Sequence, residues 1–217
     1  MSNTSAFLKS SVGRKLLMAL TGFFLFSFLV VHLTVNLFLL RPDEGKEFNT
    51  YAEFMATHPL LRPLEIVLFG GFLLHAAVGV WLWLENRRVR PAAYKLHRAS
   101  ATSTLTSRIM FWTGLAVALF LMLHVNAFFV STRFLGDERE MSKIVRDAFQ
   151  SPLTVGFYLV ALVFLGYHLR HGFQSAAQTL GLRVGAYQKL IDAAGVIFWL
   201  IIPLSFAALP LYFFWAH

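Results

Sequence analysis

Five long apolar runs, separated by polar segments, dominate the pattern of this chain. They cover roughly residues 16–40, 64–84, 109–130, 153–173 and 191–215. Each run reaches or nearly reaches the ~20 residues that an α-helix needs to cross a bilayer. The pattern predicts an all-α integral membrane bundle of five transmembrane helices. We expect residues 1–217 to form a single transmembrane domain, with no separate soluble domain.

The polar segment between the first two runs carries apolar residues at helical spacing. They are Phe48, Tyr51, Phe54 and Met55. This spacing predicts a short amphipathic helix that lies on the membrane surface. The segments 85–108 and 131–152 are interpreted as a basic loop and a mixed-charge loop.

Composition agrees with a membrane protein and excludes several kinds of site. Only 14% of the residues are charged and 57% are hydrophobic, whereas soluble domains carry about 25% charge. The chain has no cysteine. Disulfides, Cys-ligated iron–sulfur clusters, thiolate zinc sites and the attachment of c-type haem are therefore excluded.

The net charge of +8 is distributed unevenly across the predicted membrane. If the N-terminus is cytoplasmic and the C-terminus outside, twelve of the 19 Lys and Arg residues lie on the cytoplasmic side. This obeys the positive-inside rule. The basic character therefore belongs to one membrane face and does not indicate nucleic-acid binding. Topology alone explains this charge, and a docking surface for an acidic partner explains it equally well.

Four of the eight histidines lie deep within apolar runs, one in each of the first four predicted helices. They are His32, His75, His124 and His168. Ionisable residues at this depth are functional by default, because leaving them unpaired in hydrocarbon is costly. A single such histidine is usually bonded to a neighbouring helix. The presence of four, one per helix, disfavours that explanation.

The depths of these histidines sort them into two pairs. His32 and His124 each lie about four residues beyond the midpoint of an outward-running helix. At a rise of 1.5 Å per residue, this is roughly 6 Å towards the outer side. His75 lies near the middle of its inward-running helix, and His168 lies in the inner half of its own. The sequence therefore predicts an outer pair, His32 with His124, and a central-to-inner pair, His75 with His168.

Paired imidazoles in an apolar bundle favour haem over zinc. Zinc needs four ligands, or three and a water, whereas haem needs two axial ligands on opposite sides of a flat apolar macrocycle. Gly79 and Gly172 each follow a histidine of the inner pair by four residues. Such glycines leave space for a porphyrin, although they also suit ordinary helix packing. Two axial protein ligands leave no open iron position, so such haems carry electrons.

Four ordered stretches carry a resemblance to a known family that covers nearly the whole chain. The chain resembles the dihaem cytochrome b membrane anchors of succinate dehydrogenase and fumarate reductase, of the single-subunit five-helix type. The family's haem ligands fall on the four histidines above, with the same pairing. The stretches are Gly13–Gly22 leading to Val31–Leu37, His75–Gly79, Ser107–Gly114 leading to Leu123–His124, and His168–Gly181.

The resemblance implies the function, partners and location of the chain. Two b haems would pass electrons between an iron–sulfur subunit and a membrane quinone, which makes the chain the non-flavin membrane subunit of an enzyme of the tricarboxylic acid cycle. Succinate or fumarate chemistry would occur on a flavoprotein subunit, because no loop here could hold a flavin domain. The partners would dock at Arg87–Arg98 on the cytoplasmic face of the bacterial inner membrane.

Cationic or hydrogen-bonding residues at the inner side are candidates for binding haem propionates, although topology explains most of them. For His168 and His171, three residues apart, we assign the deeper His168 as the iron ligand and His171 to a propionate or a partner. The candidates are Arg14, Lys15, Arg108, Arg170 and His171.

The resemblance also implies a quinone site, with menaquinone favoured, near the outer haem. Proton exchange there needs a titratable group, and Glu65 is best placed at the outer entrance of its helix, with His58 and Tyr51 nearby in sequence. A solvated carboxylate favoured by the helix dipole is the alternative explanation. Some family members carry a glutamate two residues before the fourth ligand, tied to transmembrane proton movement. Gly166 stands there in this chain, so we do not expect that route.

Three other functions compete with this interpretation. A dihaem cytochrome b of another quinone-linked dehydrogenase or hydrogenase would share the haems and differ in its partner. A proton-coupled transporter is disfavoured, because the chain lacks signs of inverted repeats and membrane carboxylates. A structural anchor without cofactors is the third alternative, and an absorption spectrum separates it from the first.

Overall fold

The computed structural model describes residues 10–88 and 105–216 of the chain. Within them we number seven α-helices, and no strand occurs in these two ranges. Two helices continue through a wider π-helical turn: α4 through Asn126–Val130 to Arg133, and α7 through Ile197–Ile201 to Trp215. The α-helical ranges, up to the π-helical turn in α4 and α7, are α1 Ser11–Leu37, α2 Lys46–Thr57, α3 Leu61–Arg88, α4 Leu105–Val125, α5 Met141–Ala148, α6 Pro152–Thr179 and α7 Gln188–Val196.

The predicted all-α bundle with five spanning helices is confirmed. Five helical segments of 26 to 31 residues are long and apolar enough to cross a membrane, namely Ser11–Leu40, Leu61–Arg88, Arg108–Arg133, Pro152–Thr179 and Gly185–Trp215. The helices extend beyond the apolar runs because hydrophobicity marks the hydrocarbon layer and not the helix ends. At the start of α1, for example, the Ser10 hydroxyl accepts a hydrogen bond from the Gly13 amide at 3.0 Å and so caps the helix.

Helix α6 is the centre of the bundle. It packs against α1, α4 and α7, whereas α3 packs mainly against α1 and makes few contacts with α4. Helices α6 and α7 approach closely at Gly166, where an added Cβ atom would lie 3.0 Å from the Trp199 carbonyl oxygen. The sparse α3–α4 contact leaves the bundle open on the inside between α1, α3, α4 and α6.

The two short helices pack together over one end of the bundle. Phe48 of α2 and Val145 of α5 are buried in one apolar cluster with Leu39 at the end of α1. Asn49 and Ser142 join the two helices by a reciprocal pair of hydrogen bonds, each 2.9 Å long. We call this the capped end, and we call the opposite end, where α1 begins and α3 finishes, the basic end.

The short helix α2 was predicted, but the description of residues 131–152 as only a loop was wrong. Met141, Ile144, Val145 and Ala148 recur at helical spacing, and their apolar face packs under α2 as helix α5. The charged neighbours hid this pattern in the sequence. Of the predicted face of α2, Phe48 is buried, whereas Tyr51 and Phe54 are exposed.

A glycine makes the close approach of α2 and α5 possible. Gly45, just before α2, has φ +86°, and a Cβ atom added there would lie 2.5 Å from Cβ of Ser142. Only glycine combines this left-handed backbone with that approach at low cost. The predicted partner-docking segment Arg87–Arg98 lies for the most part outside the described residues.

Candidate functional site

A large cavity runs through the bundle from the basic end to the capped end. Its volume is about 2240 Å³, and its lining is largely apolar. Ser11 and Arg108 line it near the basic end, and Glu65 and Arg133 line it near the capped end. All four membrane histidines also line it. The cavity therefore joins the four histidines and Glu65 in one continuous space.

The four histidines face each other in the two pairs that the depths predicted. The ring centroids of His32 and His124 are 5.9 Å apart, with the ring planes at 89°. Those of His75 and His168 are 6.2 Å apart, with the planes at 70°. Metal–imidazole nitrogen distances are about 2.0–2.1 Å, so each separation leaves room for one metal ion between two imidazole nitrogens.

Thr21 fixes the tautomer of His75. Its Oγ1 lies 3.1 Å from the Nδ1 atom of His75. The hydroxyl donates to helix carbonyls, at 3.0 Å from Leu17 O and 3.1 Å from Met18 O. A hydroxyl has one proton, so when that proton bonds to a helix carbonyl the oxygen accepts from Nδ1–H of His75. That tautomer leaves Nε2 unprotonated, as a metal ligand requires.

The Nδ1 atoms of the other three histidines have different surroundings. The Nδ1 atom of His124 lies 3.0 Å from the hydroxyl of Tyr158. The Nδ1 atom of His32 lies 3.4 Å from the Asn36 amide nitrogen, which also donates to the His32 carbonyl at 2.8 Å. The Nδ1 atom of His168 is buried and has no hydrogen-bond partner among the described residues. A buried polar atom of this kind needs an explanation.

An internal repeat, which the sequence interpretation missed, explains the pairing. Comparing the chain with itself at an offset of 92 residues would have found it, since Met-x-x-Thr-Gly-x₅-Phe-x₃-His occurs in both α1 and α4. In α3 and α6, His-x₃-Gly recurs at an offset of 93. The matched residues are Met18 and Met110, Thr21 and Thr113, Gly22 and Gly114, Phe28 and Phe120, His32 and His124, then His75 and His168, Gly79 and Gly172.

The repeated residues occupy equivalent environments. Phe28 stacks on His32 at 5.2 Å between ring centroids, and Phe120 stacks on His124 at 5.5 Å. These rings are offset by one helical turn from the histidine that each covers. The repeat therefore builds two similar walls, one from α1 and one from α4, on either side of the cavity.

The repeated glycines admit side chains from the neighbouring helix. A Cβ atom at Gly22 would lie 3.7 Å from the ring of His75, and one at Gly114 would lie 3.1 Å from that of His168. Gly79 and Gly172, predicted to leave space beside the inner pair, line the cavity. The methyl groups of the repeated methionines approach them, at 3.3 Å and 3.9 Å from the added Cβ positions.

The cationic candidates at the basic end fall into two groups. Lys15, Arg108 and His171 line the cavity. Arg14 instead forms a bidentate ion pair with Glu85, at 2.6 and 2.7 Å. The guanidinium of Arg170 lies 5.1 Å from the ring centroid of Trp199. Neither Arg14 nor Arg170 is part of the cavity lining. Polar residues at the same end that sequence reasoning missed do line it, namely Ser11, Ser175, Gln178 and Thr179.

Glu65 lies in the first turn of α3, on the cavity wall near the capped end. Its carboxylate accepts two hydrogen bonds from Arg133, at 3.0 and 3.1 Å. His58 and Tyr51, its neighbours in sequence, do not line the cavity. His58 packs against Phe54, and Tyr51 stacks on Phe38 with ring centroids 4.8 Å apart. The partner of Glu65 is therefore a residue distant in sequence.

The arrangement provides two-ligand sites and not a polydentate metal centre. Within residues 10–88 and 105–216, no group of three or more His, Asp or Glu side chains could hold a metal ion. Each site instead offers two imidazoles across an apolar space. Two facing nitrogen ligands in such surroundings are the donor set of a six-coordinate haem.

Comparison with known proteins gives one curated relative. The chain is similar to the succinate dehydrogenase cytochrome b558 subunit of Bacillus subtilis (strain 168), with 27% identity over 187 residues, 86% of this chain and 87% of that protein. No family model matches the chain, and no solved structure matches it. The relative confirms the resemblance that the four sequence stretches indicated.

Proposed function

We propose that this chain is the cytochrome b membrane subunit of a succinate dehydrogenase or fumarate reductase. In this role it passes electrons between an iron–sulfur subunit and a membrane quinone through two bis-histidine b haems. The observation that carries the proposal is the pair of facing histidine couples at two levels of one apolar cavity. The succinate dehydrogenase cytochrome b558 subunit of Bacillus subtilis, as a relative over most of the chain, supports it.

The residues around each couple suit haem. His75 is held by Thr21 in the tautomer whose Nε2 is free to bind iron. Phe28 and Phe120 stack on His32 and His124 and restrict the orientation of these rings. The bound haem would supply reversible one-electron chemistry at iron. The chain's own contribution would be to orient the imidazoles, exclude water and supply two histidine ligands to each iron.

The two couples lie at different heights along the bundle. His75 bonds to Thr21, which precedes His32 in α1 by eleven residues. At 1.5 Å per residue this is about 16 Å along the helix axis. His75 and His168 are therefore nearer the basic end, and His32 and His124 nearer the capped end. Two redox centres stacked in this way provide a path across much of the membrane.

The proposed partners bind at the basic end, on the cytoplasmic face of the bacterial inner membrane. They are an iron–sulfur subunit and the flavoprotein that carries out succinate or fumarate chemistry. Lys15, Arg108 and His171 line the same end of the cavity and would hold the propionates of the inner haem. Arg14 and Arg170 are less suited, because Glu85 and Trp199 already engage their guanidinium groups.

The quinone, with menaquinone favoured, binds at the capped end. Glu65 lines the cavity there and is the group that exchanges protons with it. This extends the role that the sequence resemblance gave to Glu65. Residues Asn36 and Thr132 line the same part of the cavity and add hydrogen-bonding groups suited to a quinone carbonyl.

An absorption spectrum of the purified, reduced chain tests the haem content. We expect two b haems per chain, and absence of the b-haem α band would contradict the proposal. His32→Ala and His168→Ala should each lose one haem. His171→Ala is the matched control and should keep both, because His171 is not one of the facing rings. Loss of a haem in His171→Ala and not in His168→Ala would reverse the assignment of the ligand.

Copurification tests the identity of the partner. A flavoprotein and an iron–sulfur protein should copurify with the chain, and the complex should catalyse succinate:quinone oxidoreduction. Copurification of a hydrogenase or a formate dehydrogenase instead would contradict the succinate dehydrogenase assignment. The proposal of two haems would still stand.

A further inference from the structure

The ion pair at the capped end joins three helices. Arg133, at the end of α4, contacts Glu65 of α3 through two hydrogen bonds. Its other terminal nitrogen donates to the Ala56 carbonyl of α2 at 3.1 Å. The side chains of Arg133 and Glu65 are 22% and 29% exposed. One terminal nitrogen, Nη2, therefore donates to both carboxylate oxygens of Glu65, while Nη1 holds the Ala56 carbonyl. The rigid, planar guanidinium fixes these two contacts relative to each other.

The π-helical turn of α4 directs Arg133 towards the cavity. Arg133 follows His124 by nine residues, which in an uninterrupted α-helix would put it about 180° away, on the opposite face. A π-helical turn inserts one residue, and the one at Asn126–Val130 reduces this angle to about 80°. His124 and Arg133 can then both line the cavity, as they do.

The same turn distinguishes α4 from its repeat partner. In α1, the segment that follows His32 continues as regular helix to Leu37. Position 133 has its counterpart at Arg41, beyond the helix, where it pairs with Glu47 on the exterior. The internal repeat therefore does not account for Arg133 facing the cavity, and the π-helical turn is specific to this wall.

We propose that Arg133 is a positioning residue, which holds the Glu65 carboxylate at the cavity wall where quinone exchanges its protons. The inference rests on the proposed quinone function and assigns it a second residue. Arg133 acts through Glu65 and need not touch the quinone. A lysine at this position keeps the charge but has one nitrogen on a flexible stem, in place of the two fixed nitrogens that hold Glu65 and the Ala56 carbonyl.

The test uses the assembled complex, with succinate as electron donor and menadione as acceptor. Arg133→Lys and Arg133→Gln should lower kcat about 10- to 100-fold, as misplacement of a reacting group by about 1 Å does. The haem spectrum and the reduction of haem by succinate should not change. Arg139→Gln is the matched control. Among the described residues, the exposed Arg139 forms ion pairs with Asp137 and Asp147, so the kcat of this variant should equal that of the wild type.

A double variant separates positioning from a merely structural effect. Glu65→Gln should lower menadione reduction strongly but leave a measurable rate. Glu65→Gln combined with Arg133→Lys should keep that rate, because the two residues act as a unit, whereas an independent structural effect of Arg133→Lys would lower it further. Wild-type kcat in Arg133→Lys would overturn the inference. If Arg133→Gln does not assemble, Arg133→Lys alone decides in the same way.

The failures of the two proposals can be told apart. Full activity in Glu65→Gln, with both haems present, would remove Glu65 from the quinone site and the inference with it. Loss of activity in Glu65→Gln but not in either Arg133 variant would overturn the inference and leave the quinone site at Glu65 standing.

Discussion

At the scale of single residues, the hydroxyl of Thr21 orients the ring of His75, whose Nδ1 lies 3.1 Å from its oxygen. With the hydroxyl proton on a helix carbonyl, the oxygen accepts from the imidazole. This contact prepares the ring for metal before any metal arrives. Thr113 is the repeat equivalent on the other wall, where its hydroxyl donates to the Met110 carbonyl at 2.9 Å.

Thr21→Val should weaken the inner haem site without removing it. The valine keeps the shape but loses the acceptor, so His75 loses its orienting hydrogen bond. Loss of such a partner typically costs at least 10-fold in metal affinity. The rate of haem transfer to an acceptor globin should therefore rise about 10-fold for one of the two haems.

Thr34→Val is the matched control for this experiment. Thr34 makes the same helix contact, to the Val30 carbonyl at 2.9 Å, and is exposed. Its substitution should leave both transfer rates unchanged. Equal behaviour of the two variants would show that the Thr21 hydroxyl does not orient His75.

The sequence predicts the histidines but not the residues that orient them. One deep histidine in each of the first four apolar runs is visible without a structure, and counting residues from the helix midpoints gives the pairs. The Nδ1 partners are different. Tyr158 is 34 residues from His124, and Arg133 is 68 from Glu65. Such contacts depend on how the helices rotate, which apolar periodicity does not determine in a bundle that is hydrophobic all round.

At the scale of elements, the contact between α2 and α5 depends on Gly45. Gly45→Ala should loosen the capped end for two reasons: the left-handed backbone costs about 1–2 kcal/mol with a Cβ atom, and the new methyl would overlap Ser142. Amide hydrogen exchange in nanodiscs should show faster exchange throughout α2.

Gly136→Ala separates the two causes. Gly136 has φ +73°, but nothing lies within 4 Å of its added Cβ atom. Its substitution carries the backbone cost alone and should leave exchange in α2 unchanged. If both variants loosen α2 equally, or if neither does, the packing of Gly45 on Ser142 is not what holds the capped end.

The close approach of α6 and α7 gives a second prediction at this scale. Gly166→Ala should destabilise the complex, because its methyl would meet the Trp199 carbonyl oxygen at 3.0 Å, and a backbone atom cannot swing aside. Gly156→Ala, in the same helix with open space around it, should be neutral or slightly stabilising. Thermal unfolding of the purified complex measures both, and an equal melting temperature for the two would contradict the close contact.

Local patterns predict these elements unevenly. The α2 helix was visible because its aromatic residues stand out in a polar segment. The α5 helix was not, since four apolar residues among acidic and basic neighbours give a weak signal over eight positions. The π-helical turns were also not predictable, because the inserted residue shifts the register without changing the apolar composition of the run.

At the scale of the whole molecule, the cavity leaves the bundle poorly packed on its own. Only 6% of the apolar window of α3, and the same share of α4, is buried within the protein. In α6 and α7 the shares are 22% and 28%. The helices that line the cavity thus lack neighbours on the inside as well as in the lipid, and a ligand that fills the cavity should stabilise the fold.

Chain produced in haem-deficient cells should therefore be more open to proteolysis than chain produced with haem. We expect limited trypsin digestion in membranes to cut the haem-deficient chain faster near Arg88 and Arg108, at the ends of α3 and α4. Cleavage near Arg183, beside the better-packed α7, should change least and serves as the internal control. Identical digestion with and without haem would mean that the bundle does not need its cavity filled.

The repeat at an offset of 92 residues means that the two halves of the chain contribute equally to each histidine pair. Every facing couple takes one histidine from residues before 89 and one from residues after 104, so neither half holds a complete site. This is the arrangement that fusing two copies of a helical hairpin produces, with the sites across a former twofold axis. The two halves of the chain, made as separate polypeptides, should then bind no haem and be colourless alone. Together they should bind haem and be red.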